Sequence, residues 1–134
     1  MSDQAPPQQT VYDALGGEVG VRGLVDRFYD EMDRDPDVKV LRDMHPENLV
    51  MSREHLFWFM SGWLGGPPLY IERKGHPRLR ARHFPFAVDA SARDQWMKCM
   101  RVALAESGLE SPLRERLDDA LFKLADHMIN RASG

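Results

Sequence analysis

The sequence predicts an all-α domain, and three observations carry that expectation. Apolar residues recur at three- and four-residue spacing through four long stretches, the period of a helix with one buried face. Proline and glycine fall between those stretches, where helices stop. Residues that favour strands are scarce: threonine occurs once (Thr10) and isoleucine twice (Ile71 and Ile129), leaving little beyond valine.

In chain order, Thr10 caps a single turn through Val11, Tyr12, Ala14 and Leu15, which Gly16-Gly17 ends. From Glu18 the residues Val21, Leu24, Val25, Phe28, Tyr29 and Met32 share one helical face, and Asp35-Pro36 breaks the helix. A shorter helix passes through Val38, Val40 and Leu41 and ends at Met44-His45-Pro46. The next runs from Leu49 to Trp63, with Leu56, Phe59, Met60 and Trp63 in register and Phe57 and Trp58 widening the apolar arc. So apolar a helix is expected to be buried on most of its circumference. Gly65-Gly66-Pro67-Pro68 ends it, and residues 65–75 read as loop. Ser91 with Asp94 three residues on reads as a capping box opening a helix with Trp96, Met100, Ala103, Leu104 and Ser107, closed by Gly108. Ser111-Pro112 starts the last helix as N-cap and first-turn proline, with Leu113, Leu117, Ala120, Leu121, Leu124, Ala125 and Met128 as its stripe. Two long C-terminal helices are expected to pack on two N-terminal ones.

A chain of 134 residues bounds this at one domain. Residues 1–9 read as a disordered tail and 10–134 as the domain. The net charge of -3 is a poor match for nucleic acid. Cys99 is the single cysteine, which excludes an intrachain disulfide and suits a reducing cytoplasm. The first residues lack the basic start and apolar run of a signal peptide, and no apolar stretch is long enough to span a bilayer. Eight methionines suit adaptable packing or a cofactor pocket.

The stretch around which the chain is organised is Gly75-His76-Pro77-Arg78-Leu79-Arg80-Ala81-Arg82-His83-Phe84-Pro85-Phe86. Pro85 places His83 in the last turn of a short helix, with Phe84 and Phe86 beside it. A neutral imidazole is the commonest side-chain metal ligand. Arg73, Lys74, Arg78, Arg80 and Arg82 suit an anionic partner. Together they fit a flat, apolar, iron-bearing ligand with carboxylates at one edge, which describes haem. They equally fit an exposed basic loop around one buried histidine, or a phosphate- or nucleic-acid-binding patch.

The order and spacing of several landmarks resemble the group II truncated haemoglobins. These are Gly16-Gly17, Arg27-Phe28-Tyr29, Gly65-Gly66-Pro67, the Gly75–Arg80 segment leading into Arg82-His83, and Trp96 thirteen residues after His83. The resemblance runs from about Val11 to Met128. It implies a globin-like, two-over-two helical sandwich enclosing haem b (iron protoporphyrin IX). His83 corresponds to the proximal iron ligand, and Tyr29, His45 and Trp96 to residues that stabilise the distal ligand. Ser52 falls where other globins carry a distal histidine, and Leu56, Phe59 and Met60 line the distal side. Arg82 is the first partner expected for a haem propionate, followed by Arg80 and Tyr70; His55 is a rim residue within reach of a propionate, and Phe86 flanks the cofactor.

That chemistry needs the second nitrogen of His83 to find an acceptor, for which a backbone carbonyl in its own short helix serves. Bound O₂ gathers negative charge, so donors set how long it stays. Trp96 only donates, whereas Tyr29 and His45 donate or accept. Read without the resemblance, Trp96 and Tyr29 are core residues on helix faces and His45 an exposed corner residue. The leading expectation is a haem protein that binds O₂ and releases it slowly, with a redox role, nitric oxide dioxygenation first among the possibilities. The alternatives are an O₂ or redox sensor, a peroxidase-like protein and, remotely, a haem-free helical adaptor for nucleic acid. Expected partners are O₂, NO, CO or peroxide as small ligands and an unidentified reductase. A homodimer is admitted as an assembly, and neither nucleic acid nor membrane is expected.

Overall fold

The structure is a computed structural model describing residues 9–131. Of the expected tail, residues 1–8 lie outside the described residues, as do 132–134 at the other end of the expected domain.

Helix α1 (Val11–Leu15) opens with a reciprocal cap. The Thr10 hydroxyl accepts from the Asp13 N–H, and the Asp13 carboxylate accepts from the Thr10 N–H. Gly16 then takes φ 103°, a left-handed turn that glycine adopts without steric cost, and α2 (Gly17–Arg34) begins at once. The two helices meet so closely that a Cβ on Gly20 would lie 1.7 Å from the Leu15 carbonyl oxygen.

Asp35 ends α2 and caps the 3₁₀ turn Pro36–Val38 by accepting from the Asp37 N–H. Helix α3 (Lys39–Asp43) follows, and α4 (Val50–Trp63) comes next. Residues 69–74 correct the loop expectation, because Leu69–Lys74 is a helix, α5, entered from Pro68. Six residues are too few to display a helical period, so no local pattern marks it. Helix α6 (Leu79–His83) does carry His83 at its last position.

Two caps differ from expectation. Helix α7 (Ala90–Ala105) is capped by Asp89, whose carboxylate accepts from the Ala92 N–H, while the Ser91 hydroxyl accepts from the Gln95 amide. Asp89 and Ser91 are both good caps, and only the incoming chain direction selects between them. Helix α8 (Ser111–His127) is entered from Glu110, so Ser111 is already helical and Pro112 sits second. Proline tolerates that place because the N–H it lacks has no intrahelical acceptor.

The core lies where α2 crosses α7. Val21, Leu24, Val25, Phe28 and Met32 of α2 meet Met97, Met100, Ala103 and Leu104 of α7, with Leu117 and Leu121 of α8 behind. Helix α4 packs on α2 and α8 on α7, so two helix pairs lie face to face, and no strand occurs among the described residues. Met32, Met60, Met97 and Met100 are fully buried, which makes half of the methionines core filler. Cys99 is buried too; burial, with Asp35 and Glu31 nearby, pushes its thiol up to about 11, so it stays protonated at neutral pH. Helix α4 departs from the expected near-complete burial. Only Phe57, Met60 and Ser61 are buried within it, and Val50 and Met51 face solvent. The face carrying Ser52, Leu56 and Phe59 borders a cavity instead of other helices.

The Gly20 contact sets the angle between α1 and α2. Gly20→Ala is expected to destabilise the fold by about 1–3 kcal/mol through overpacking, read as a lowered urea midpoint with an unchanged slope.

Candidate functional site

A cavity of about 410 Å³ opens between the helix pairs. That lies within the roughly 300–1,000 Å³ typical of small-molecule pockets. Each wall follows from helical geometry. Ser52, His55, Leu56 and Phe59 are spaced by three and four, so they share the face of α4 turned to the cavity. Tyr29 comes from α2, Ala92 and Trp96 from α7, and Leu124 and Ala125 from α8. Tyr70 and Lys74 of α5, Arg82 and His83 of α6, and Phe86 beyond it complete the lining.

His83 is held from three sides. Its Nδ1 lies 2.6 Å from the Leu79 carbonyl oxygen. A carbonyl only accepts, so Nδ1 carries the hydrogen and the neutral ring keeps its lone pair on Nε2, within the cavity. The His83 carbonyl accepts from the Asn130 side-chain amide at 3.0 Å and from the Phe86 N–H at 2.9 Å. Asn130 also accepts from the Val88 N–H at 3.0 Å and donates its own N–H to the Val88 carbonyl at 2.8 Å. The segment after α8 thus clamps both sides of the His83 turn. Sequence reasoning missed Asn130, because nothing local marks a residue whose partners lie 42 and 47 positions away.

His45, Tyr29 and Trp96 come together as expected. The Tyr29 and His45 rings meet edge to face at 5.8 Å, and Phe28 lies 4.9 Å from Tyr29 and 5.1 Å from Trp96. The His45 corner is pinned from outside. Gln95 of α7 accepts from the Leu41 N–H, and Arg42 donates to the carbonyls of Pro46 and Glu47. His45 Nδ1 lies 2.9 Å from the Leu41 carbonyl, so it too must donate there. A neutral His45 therefore offers the cavity a lone pair on Nε2 and no proton. This narrows the expectation that it donates or accepts: at neutral pH it accepts. Burial lowers its pKa from the ordinary 6.5, with Arg42 and His83 pushing the same way against the Leu41 hydrogen bond. Burial holds the Tyr29 phenol above its ordinary 10 despite the opposing pull of Arg53, so Tyr29 remains an O–H donor. Trp96 adds an indole N–H, an obligate donor.

The rim is basic. Arg82 and Lys74 border the cavity, and the Arg82 guanidinium lies 5.4 Å from the centre of the Tyr70 ring. His55 is more enclosed than a rim residue; its Nε2 is buried and has no hydrogen-bond partner. Its pKa is lowered, first by burial and then by Lys74 and Arg82. Two expected contacts are not brought to the cavity. Arg80 turns to the end of α8, donating to the carbonyls of His127 and Ile129. Met60 is fully buried in the core, one position around α4 from the cavity-lining Phe59. Leu124 and Met128 line the cavity without having been singled out as site residues, the stripe of α8 being their signal, and Lys74, read only as one of the basic residues suited to an anionic partner, lines it too.

This donor set fits haem b. Among the described residues no three His, Cys, Asp or Glu side chains gather into a metal site, so an ion held here must bring most of its own donors. His83 offers one oriented lone pair, the walls are mainly apolar and aromatic, the cations Arg82 and Lys74 at the rim suit carboxylates, and His55 beside them has a buried Nε2 without a partner.

Comparison with known proteins agrees. The family model described as bacterial-like globin matches residues 10–130. The chain is 40% identical to the group 2 truncated hemoglobin YjbI of Bacillus subtilis (strain 168) over 120 residues, 90% of this chain and 88% of that protein. Its fold is similar to that of a cold-adapted truncated hemoglobin from Pseudoalteromonas haloplanktis TAC125 (TM-score 0.89, 48% identity, covering 92% and 99% of the two chains). It is also similar to the group II 2-on-2 hemoglobin of Agrobacterium tumefaciens (TM-score 0.90, 38% identity, covering 97% and 100%).

His45 provides a test of the site's burial. Its ring is expected to titrate below 6.5, so the folded chain takes up this proton later than the unfolded chain as pH falls. The resulting loss of stability begins near 6.5, the unfolded value, and is complete below the lowered folded value. His45→Phe should remove that part of the acid sensitivity. Urea denaturation of both proteins between about pH 4.5 and 7.5 measures it, and parallel profiles would refute it.

Proposed function

Because the chain belongs to the bacterial-like globin family, in its group II truncated, two-on-two branch, and binds haem b, we propose that His83 is the protein's ligand to the haem iron and that Trp96 and Tyr29 hold the diatomic ligand. Haem, when bound, would supply an iron able to take O₂ and other diatomic molecules. The chain's residues do the rest. The Leu79 carbonyl fixes the His83 tautomer and raises the basicity of Nε2. Arg82 and Lys74 pair with the propionates, and His55 Nε2 gains there the partner it otherwise lacks.

The observation that carries the function is the convergence of two fixed donors, Trp96 and Tyr29, with one acceptor, His45, on a cavity whose walls are mainly apolar and whose charged groups, Lys74 and Arg82, lie at its rim. A hydrogen bond to a charged group contributes roughly 1.5–3 kcal/mol. About 1.4 kcal/mol is a tenfold change in rate. Each donor therefore slows O₂ loss by about ten- to hundredfold, which suits chemistry on the bound molecule better than oxygen delivery. Ser52 is a small side chain and leaves room on its side of the pocket for a second diatomic molecule to approach. The proposed reaction is nitric oxide dioxygenation: O₂ and NO combine to nitrate, and a reductase returns one electron per turnover. Peroxide chemistry would have to use His45 for proton transfer. A base whose pKa is lowered is mostly neutral at pH 7, so its response to pH lies lower than an ordinary histidine's.

Three experiments test this reading. His83→Gly should lose the Soret band or recover it only with added imidazole, while His76→Ala keeps it; the reverse would refute the assignment. Rapid mixing of the reduced, O₂-equilibrated protein with nitric oxide should consume it stoichiometrically within the mixing time, with little change between about pH 5.5 and 7.5. Trp96→Phe should speed O₂ dissociation by about ten- to hundredfold. A reaction with NO no faster than O₂ loss would leave ligand sensing as the better account.

A further inference from the structure

We propose that the surface formed by α5, α6 and the turn between them docks an acidic electron-carrier protein, which reduces the ferric haem there. The inference rests on the proposed redox role only in its need for an electron; the surface itself is an independent observation.

Of the 18 lysines and arginines, ten are ion-paired; Arg114, Arg116 and Arg131 form no ion pair among the described residues, and the remaining five gather in one segment. Arg22, Arg27, Arg34, Lys39, Arg42, Arg53, Arg93, Lys98, Arg101 and Lys123 each lie in an ion pair with a carboxylate. Arg73, Lys74, Arg78, Arg80 and Arg82 form none among the described residues, although all five fall within ten consecutive positions and are exposed. What they touch is neutral. Arg73, Arg80 and Arg82 lie over the rings of Trp58, Phe84 and Tyr70, and Arg80 and Arg82 also donate to backbone carbonyls. These contacts orient the guanidinium groups without cancelling their charge.

Residues 72–82 carry +4, five cations against Glu72, in a chain that carries -3, so the remainder carries -7. Two propionates against Lys74 and Arg82 still leave the surface positive. The molecule is therefore strongly dipolar, and an acidic partner approaches with this face forward. Exposed Ile71 and Phe84 lie among the cations, giving the apolar centre and charged rim of a protein interface. The position also suits electron transfer, because Lys74 and Arg82 belong to both this surface and the cavity rim. In the step, the partner gives up one electron and ferric iron becomes ferrous; no atom is transferred. An extended nucleic acid fits less well, since its phosphates would run past this short patch onto the acidic remainder.

The test uses the ferric holoprotein and a photoreduced flavodoxin as the acidic probe. Stopped-flow reduction should slow at least tenfold between about 20 and 300 mM salt, the signature of attraction, despite the net negative charge of both proteins. Arg73→Glu/Arg78→Glu, at two residues outside the haem pocket, should slow reduction at low salt by a similar factor and abolish the salt dependence. The Soret spectrum and O₂ dissociation should stay unchanged. Arg114→Glu/Arg116→Glu makes the same change in net charge near the far end of α8 and should have little effect. Isothermal titration of the oxidised flavodoxin should show salt-sensitive binding that the first variant loses. Equal effects of the two variants, or wild-type reduction that is indifferent to salt or accelerated by it, would overturn the proposal. So would loss of binding to anionic phospholipid vesicles in the first variant with flavodoxin reduction intact, which would make the patch a lipid-facing surface. None of these measurements uses nitric oxide, so failure here and failure of the dioxygenase reading are separately visible.

Discussion

The packing of Phe28 against α7 is the contact on which the rest of the molecule turns. Its ring is fully buried where α2 crosses α7, and it touches Tyr29 on one side and Trp96 on the other. The apolar stripe that closes the core therefore also sets the two donors that face the cavity. A cavity wall formed as the edge of a close-packed core is rigid, because repacking it would disturb residues with no free volume around them. Donors held that way lose little entropy when they engage a ligand, which is what stabilising a small bound molecule requires.

A second device recurs at two of the three cavity histidines. His83 and His45 each stand four residues after a leucine whose carbonyl accepts their Nδ1–H. The backbone thereby chooses the tautomer of both rings, and both present Nε2 as a lone pair. At His83 this leaves the lone pair that the proposed iron ligation needs. At His45 it produces an acceptor beside the Tyr29 phenol, leaving donation to Trp96 and Tyr29. Lowering of the His45 pKa by burial keeps that assignment in force at neutral pH.

Charge is arranged as deliberately as polarity. Ion pairs satisfy most cations around the helix pairs, whereas the turn that delivers His83 to the cavity is left positive and exposed. Part of that charge faces inward toward the carboxylates expected of the cofactor, and part faces solvent. Such a division places attraction for a cofactor's carboxylates and for an acidic partner on one short segment.

By itself the sequence determined every helix but α5, their order and the residue types of the site. Helical periodicity and the proline and glycine stops are local properties, so they placed α1 to α4 and put His83 at the end of α6 correctly. Neighbouring residues likewise supplied the reason Leu79 serves His83, since an acceptor four positions back is a feature of any helix. Tertiary structure decided what depends on distant partners. It formed α5 in a stretch too short to show a period, chose Asp89 over Ser91 as a cap, and turned Arg80 away to the carbonyls at the end of α8. It sent Met60 into the core and its neighbour Phe59 to the cavity, a one-residue step around α4 that apolar character cannot distinguish. It also brought Asn130 back onto His83 across 47 residues. Each of these outcomes is set by which groups meet in space, and spacing along the chain carries no record of it.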